Sequence, residues 1–132
     1  MYPVSDIYGF AELLTEPELA KLRSLRELLE TRLQPILADH WERAVSPVHL
    51  REPLRDLRLV DDPALLGENG RARELYTGFR NFEFSRTDVG TGMLYHGQVA
   101  MFRELVRQGG SAQQVEDWDD AIVSFEMTGA FA

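Results

Sequence analysis

The amino-acid sequence predicts an all-α fold: an orthogonal or up-down bundle of about five to six helices, with a C-terminal tail that begins a β-strand. Three features predict it. Apolar residues recur at three- and four-residue spacing over long stretches, which puts them on one helix face. Capping boxes stand ahead of two such stretches, at Thr15-Glu16-Pro17-Glu18 and Ser111-Ala112-Gln113-Gln114. The six prolines and ten glycines fall mostly between periodic segments, where they punctuate the chain.

Residues 1–14 read as an irregular lead-in with a short turn over 7–14. Tyr2, Ile7, Tyr8 and Phe10 are expected to lie down on the first helices. Thr15 opens the first long helix. Its hydroxyl accepts from freed backbone N–H groups, Glu18 reaches back, and Pro17 costs nothing in a first turn. Leu19, Leu22, Leu29, Leu33 and Ile36 mark the buried face. Pro35 has no N–H to donate, so it kinks this helix or ends its first part, and the pattern resumes through Trp41.

Ser46-Pro47 opens a short segment with Leu50, Leu54 and Leu57 on one stripe, interrupted by Pro53. Asp61-Asp62-Pro63 and Gly67-Glu68-Asn69-Gly70 are turns. A longer helix is expected from Arg71 to about Ser85, burying Leu75, Phe79 and one of Phe82 and Phe84. Thr87-Asp88 starts the next. Residues 89–108 carry Met93, Leu94, Val99, Met101, Phe102, Leu105 and Val106, and this wide apolar coverage predicts a central, heavily buried helix. Gly109-Gly110 stops it. The last helix has Val115, Trp118 and Ile122 on one face. From Val123 onward small and β-prone residues replace the helical period, and the chain reads as entering a strand with no partner of its own. The expected division is a helical domain over residues 1–124 and the start of a following β-domain over 125–132.

The net charge of -8 repels phosphate backbones and argues against a nucleic-acid partner. Two arginine groups, Arg51/Arg55/Arg58 and Arg71/Arg73/Arg80, read as solvated helix faces. With no cysteine there is no disulfide and no thiolate metal site, which fits a reducing compartment. The first residues have no positive charge and no apolar stretch of a secretory signal. No apolar run approaches the ~18 residues of a membrane span. The chain therefore reads as soluble and cytoplasmic, with no membrane insertion.

Few residues carry chemistry. His40, His49 and His96 lack a second ligand at helical metal spacing, so no metal residue is assigned. His96 reads as a partly buried, satisfied histidine, with a pocket-lining role as the alternative. Glu116, Asp117, Asp119 and Asp120 around Trp118 span more than one helix face and read as solvated acidic surface. Glu27 and Glu30 each follow an arginine by four residues, as surface ion pairs do. No catalytic acid–base pair, nucleophile elbow or phosphate loop is present. Gly90, Gly92 and Gly97 permit either close helix packing or a narrow ligand channel.

The order of several motifs resembles the N-terminal helical domain of the acyl-CoA dehydrogenase/acyl-CoA oxidase flavoproteins. Leu13-Leu14-Thr15-Glu16 resembles the family's opening "LTEEE", and Arg32-Leu33-Gln34-Pro35 its "xLxP". Ser46-Pro47 stands where the family has a proline opening its second helix, and Arg73-Glu74-Leu75-Tyr76 resembles "ARELxR". Residues 86–96 are similar to the "D-x-G…H" helix that closes the acyl pocket, and 110–118 to "GSEEQKxxWL". Thr128-Gly129-Ala130-Phe131-Ala132 resembles "xGxFAxTE", the first flavin-binding strand. The connection Leu57-Arg58-Leu59-Val60-Asp61-Asp62-Pro63 departs from the family's glycine-rich one.

The resemblance implies an FAD oxidoreductase of fatty acid metabolism. A glutamate base removes the α-proton of an acyl-CoA thioester and hydride passes from the β-carbon to the flavin. That glutamate belongs to a later domain, so no catalytic residue is assigned to this chain. Phe131 and Ala132 are the implied cofactor contacts, and Thr91, Tyr95, Gln98 and Val99 the implied acyl-pocket wall. The remaining domains of a parent chain and further copies in a homo-oligomer are the implied partners. The fragment alone is expected neither to bind FAD nor to catalyse. The alternatives are an oxidase of the same superfamily and a stand-alone helical interaction module without flavin.

Overall fold

Thr15 caps the first helix as its sequence requires. Its Oγ1 accepts from the Glu18 N–H at 3.4 Å, and Glu18 Oε2 accepts from the Thr15 N–H at 2.7 Å. In the computed structural model, which describes residues 6–129, α1 runs from this cap over Glu16–Leu28. The rod continues through a π-helical turn, Leu29–Leu33, a 3-10 turn, Gln34–Ile36, and α2, Leu37–Glu42. Pro35 explains the change of winding. It has no N–H for the Thr31 carbonyl, so the ladder widens before it and tightens at it. The helix changes pitch here without ending.

A turn with Ala44 at φ 52° closes α2, and the Val45 N–H bonds back to the His40 carbonyl at 2.9 Å. The 3-10 turn Val48–Leu50 leads into α3, Arg51–Asp56. Pro53 does not interrupt α3 as expected. It sits in the first turn, where an N–H has no intrahelical acceptor. Asp62 caps a 3-10 turn, Pro63–Leu65, by accepting from the Ala64 N–H at 3.0 Å. The Gly67 N–H bonds to the Arg71 carbonyl at 2.9 Å, and Leu66 bridges Ala72. This pairing holds the residues after Gly70 extended, so α4 starts three residues later than expected, over Glu74–Thr87.

Asp88 caps α5, Val89–His96, by accepting from the Thr91 N–H at 2.7 Å. A π-helical segment, Gly97–Phe102, joins it to α6, Arg103–Gly109. Ser111 and Gln114 form the second capping box and start α7, Ala112–Val123. The described residues thus make a helical bundle of five rods: 16–42, 48–56, 74–87, 89–109 and 112–123. α4 packs against both α1 and α5, and α7 against the second half of the 89–109 rod.

The larger core joins Leu25, Leu29 and Leu33 to Leu50, Leu54 and Leu59, with Phe84, Tyr95, Val99 and Phe125 closing it. A smaller one joins Leu22, Leu65 and Tyr76 to Ala11 and Leu14. Each fully buried leucine contributes about 1.5–3 kcal/mol over leaving it in water. The lead-in differs from expectation: Ile7, Tyr8 and Phe10 are exposed, while Ala11 and Leu14 pack inward. Tyr2 lies outside the described residues.

Burial departs from the apolar pattern in a consistent way. The core face of α4 is Tyr76, Arg80, Glu83 and Phe84, and Phe82 points outward. The 89–109 rod buries Thr91, Tyr95, Gln98, Val99 and Arg103, while Met93, Leu94, Met101 and Leu105 are exposed. Every buried charge in this set except Arg80 has a strong ionic partner. Glu18 binds Arg73 at 2.5 and 2.8 Å, Glu83 binds Arg26 at 2.6 and 2.9 Å, and Arg103 binds Asp119 at 2.6 and 2.8 Å. Arg80 lies with its guanidinium carbon 5.6 Å from the centre of the Tyr95 ring. These contacts revise several surface expectations. Arg73 and Arg80 are not freely solvated, Asp119 is not loose acidic surface, and Arg26 and Glu30 bond across to α4 rather than to each other.

The tail takes a turn over 124–127, with no strand among residues 125–129. Phe125 adopts φ 62° and tucks against Tyr95 with ring centres 5.7 Å apart. The Met127 N–H returns to the Ala121 carbonyl at 2.9 Å. Burying the Phe125 ring ties the segment back onto the bundle, which an extended strand here would not allow.

Candidate functional site

α5 and the π-helical segment after it carry all four pocket-wall residues implied by the sequence, on their inward face. Thr91 is buried and donates its hydroxyl to Asp88 Oδ2 at 2.7 Å. Tyr95 is buried and stacks on Phe84, with ring centres 4.9 Å apart. Burial pushes its phenol well above the ordinary range. Gln98 donates its side-chain amide to the Ile122 carbonyl at 3.0 Å and to the Met127 carbonyl at 2.5 Å. Val99 belongs to the larger core. Phe131 and Ala132 lie outside the described residues.

Two apolar cavities flank this helix and share Leu94. The first, about 460 Å³, is a half-open depression bordered by Leu33, Leu37, His40 and Trp41, by the turn of Ala44 to Pro47, and by Asp88, Gly90 and Thr91. Of the four implied wall residues, only Thr91 borders it. Asp88 is held in place there. Oδ1 accepts from the Trp41 indole N–H at 3.2 Å, while Oδ2 takes both Thr91 donors. Burial opposes ionisation of Asp88, but the Thr91 and Trp41 hydrogen bonds outweigh it and hold the carboxyl below its usual range.

The second cavity, about 380 Å³, lies between the exposed side of the helix and the tail. Arg51, Met93, Leu94, Gly97, Gln98 and Met101 line it from the bundle, and Phe125, Thr128 and Gly129 from the tail. Of the implied wall, only Gln98 reaches it. Sequence reasoning placed Met93, Leu94 and Met101 in the core and so missed them here. The signal was present: Val89, Met93, Gly97, Met101 and Leu105 follow each other at four-residue spacing, a single ridge along the rod. The π-helical winding over Gly97–Phe102 keeps such a ridge straighter than ideal α-helix does.

The remaining depressions are more open. One of about 470 Å³ is lined by Arg55, Asp56, Arg58, Asp61 and Asp120, a mixed-charge cleft. His40 and His49 meet edge to face at 5.3 Å, and desolvation, His40 and Arg32 together lower the His49 pKa. No group of three or more potential metal ligands occurs among the described residues. No helix among them is long and apolar enough to cross a membrane. No protein-family model matches the chain, and no curated protein matches it. The resemblance to acyl-CoA dehydrogenases therefore rests on motif order.

Proposed function

We propose that this chain is the N-terminal helical domain of a flavin-dependent acyl-CoA dehydrogenase, and that it supplies an apolar wall for the acyl chain. The observation that carries the reading is the second cavity. An aliphatic slot faced by Met93, Leu94, Gly97 and Met101 opens beside the tail that resembles the start of a flavin-binding strand. Apolar walls exclude water, and excluding water strengthens the electrostatics at a thioester's reacting carbons. Methionines suit such a wall because they adapt to ligand shape.

A dinucleotide's phosphates favour open helix N-termini; those of α1, α5 and α7 are closed by Thr15, Asp88 and Ser111, while α4 begins without a side-chain cap. The redox step and its glutamate base belong, in this reading, to the rest of a parent chain. Purifying the product of the whole open reading frame tests it. The expected result is bound flavin that an acyl-CoA bleaches. Gly97→Leu should then shift preference toward shorter acyl chains, because a Cβ at Gly97 meets nothing within 4 Å and the side chain enters the slot. A protein without flavin, or a flavin that no acyl-CoA reduces, overturns the reading. Reduced flavin that oxygen reoxidises rapidly points to the oxidase alternative. The ridge of Val89, Met93, Met101 and Leu105 supports the second reading, a flavin-free helical interaction module.

A further inference from the structure

We propose that the exposed ridge of the 89–109 rod is the interface of a two-fold dimer, in which two copies of this chain pack their rods antiparallel about Gly97. The proposal rests on the second reading above, the flavin-free interaction module, and names its partner. Val89, Met93, Met101 and Leu105 are 59, 61, 43 and 47% exposed and follow each other at four-residue spacing, with Gly97 at the centre. The ridge has nearly the same order of shapes from either end: branched aliphatic, methionine, glycine, methionine, branched aliphatic. A two-fold axis at Gly97 therefore sets each Met93 against the other copy's Met101 and each Val89 against the other copy's Leu105. The two glycines meet on the axis. A two-fold interface has to be complementary to itself in this way, and an unrelated partner makes no such demand.

The glycine, the charge and the area favour the same occupant. A Cβ at Gly97 would meet nothing within 4 Å, so packing among the described residues does not require this glycine. Glycine is also among the least favourable residues inside a helix. Its missing side chain lets a second backbone approach closely at the axis. Charge argues likewise. With a net charge of -8, two copies repel over most of their surface. On the rod only Arg103, Glu104 and Arg107 are charged, and each is paired within the chain, to Asp119, Arg71 and Asp119 in turn. The ridge is thus a neutral face through which two acidic molecules can meet, and a strongly charged partner gains nothing there. Leu94 and Trp41 widen it, the Trp41 ring standing 3.6 Å from where a Cβ on Gly90 would lie. These six exposed side chains leave on the order of 700 Å² in water, above the ~300–600 Å² of a typical monomer's largest patch and near the ~800 Å² that each partner of a standard interface covers.

Sedimentation velocity of the chain should show a reversible monomer–dimer equilibrium at micromolar concentration. Met101→Glu should raise the dissociation constant about tenfold or more, because the two-fold axis buries two unpaired charges. Its melting temperature should hold, since this side chain points away from the core. Tyr8→Glu puts the same charge on the exposed lead-in and should leave the constant unchanged. The chain has no cysteine, so introduced thiols report the geometry. With a short thiol-specific crosslinker, Gly97→Cys should link to itself. Met93→Cys should link to Met101→Cys when the two variants are mixed, and neither should link to itself. A chain that stays monomeric up to about 1 mM overturns the proposal. So does a dimer that Met101→Glu leaves intact or Tyr8→Glu dissolves, and so does Met93→Cys linking to itself but not to Met101→Cys. Loss of the Gly97→Cys link in the product of the whole open reading frame also overturns it, since another part of a longer chain would then cover the ridge. The flavin content of that product tests the interaction-module reading separately.

Discussion

Replacing Asp119 with asparagine should remove about 2 kcal/mol of stability at neutral pH. The side chain receives two hydrogen bonds from Arg103, at 2.6 and 2.8 Å, and two longer ones from Arg107, at 3.2 and 3.4 Å. An exposed ion pair contributes only about 0.2–1 kcal/mol. Breaking a fully buried one costs about 3–5 kcal/mol, because the survivor keeps an uncompensated charge. This pair lies between the limits: 10% of the Arg103 side chain is exposed and 26% of Asp119. Asparagine preserves shape and one acceptor, so the loss is electrostatic.

Urea denaturation followed by circular dichroism measures it. With a slope of about 1–3 kcal/mol per molar urea, the midpoint should fall by about 1 M at unchanged slope. The pH dependence gives an independent check. Hydrogen bonds from Arg103, opposed by burial and reinforced by the charges of Arg103 and Arg107, lower the Asp119 pKa below its ordinary 3.8. The folded state therefore holds the proton less tightly than the unfolded state. The contribution is complete above the unfolded value and is lost as pH falls through the folded one. The gap between the native sequence and Asp119→Asn should accordingly be constant from pH 5 upward and narrow in stronger acid. A midpoint shift below about 0.3 M, or a gap that widens in acid, would refute the reasoning.

Three further outcomes are expected. Leu29→Ala, at a fully buried position in the π-helical turn, should cost about 3 kcal/mol and lower the melting temperature by roughly 10 °C in calorimetry. Ala44→Gly should stabilise the chain by about 1 kcal/mol in the urea assay, because Ala44 holds φ 52° at the end of α2 and glycine adopts that conformation without strain. Burial raises the phenols of Tyr76 and Tyr95 far above their ordinary value of 10.0, so both should stay protonated in an ultraviolet titration until the chain unfolds. Their stabilising contribution is present below the ordinary phenol value and is lost as pH rises beyond it. Stepwise titration of all four tyrosines before unfolding would contradict this.

The sequence by itself determined where most helices begin and end, because those decisions are local; the start of α4, delayed by the Leu66–Ala72 pairing, is the exception. A capping hydroxyl reaches N–H groups three residues away, as Thr15 and Ser111 do. Pro35 acts on a carbonyl four residues back, and Gly109-Gly110 ends α6 within one turn. The tertiary structure decided which side of each helix faces inward. On α4 and the 89–109 rod, apolar residues cover more than one face, so periodicity does not choose between them. The choice went to the face whose charges find partners distant in sequence. Glu83 meets Arg26 and Arg103 meets Asp119, and these pairings bury Tyr95, Gln98 and Val99 while leaving Met93 and Met101 outside. Both cavities follow from that choice. They form where α2 and the tail meet the helix, and residue spacing along one segment carries no record of what another segment brings to it.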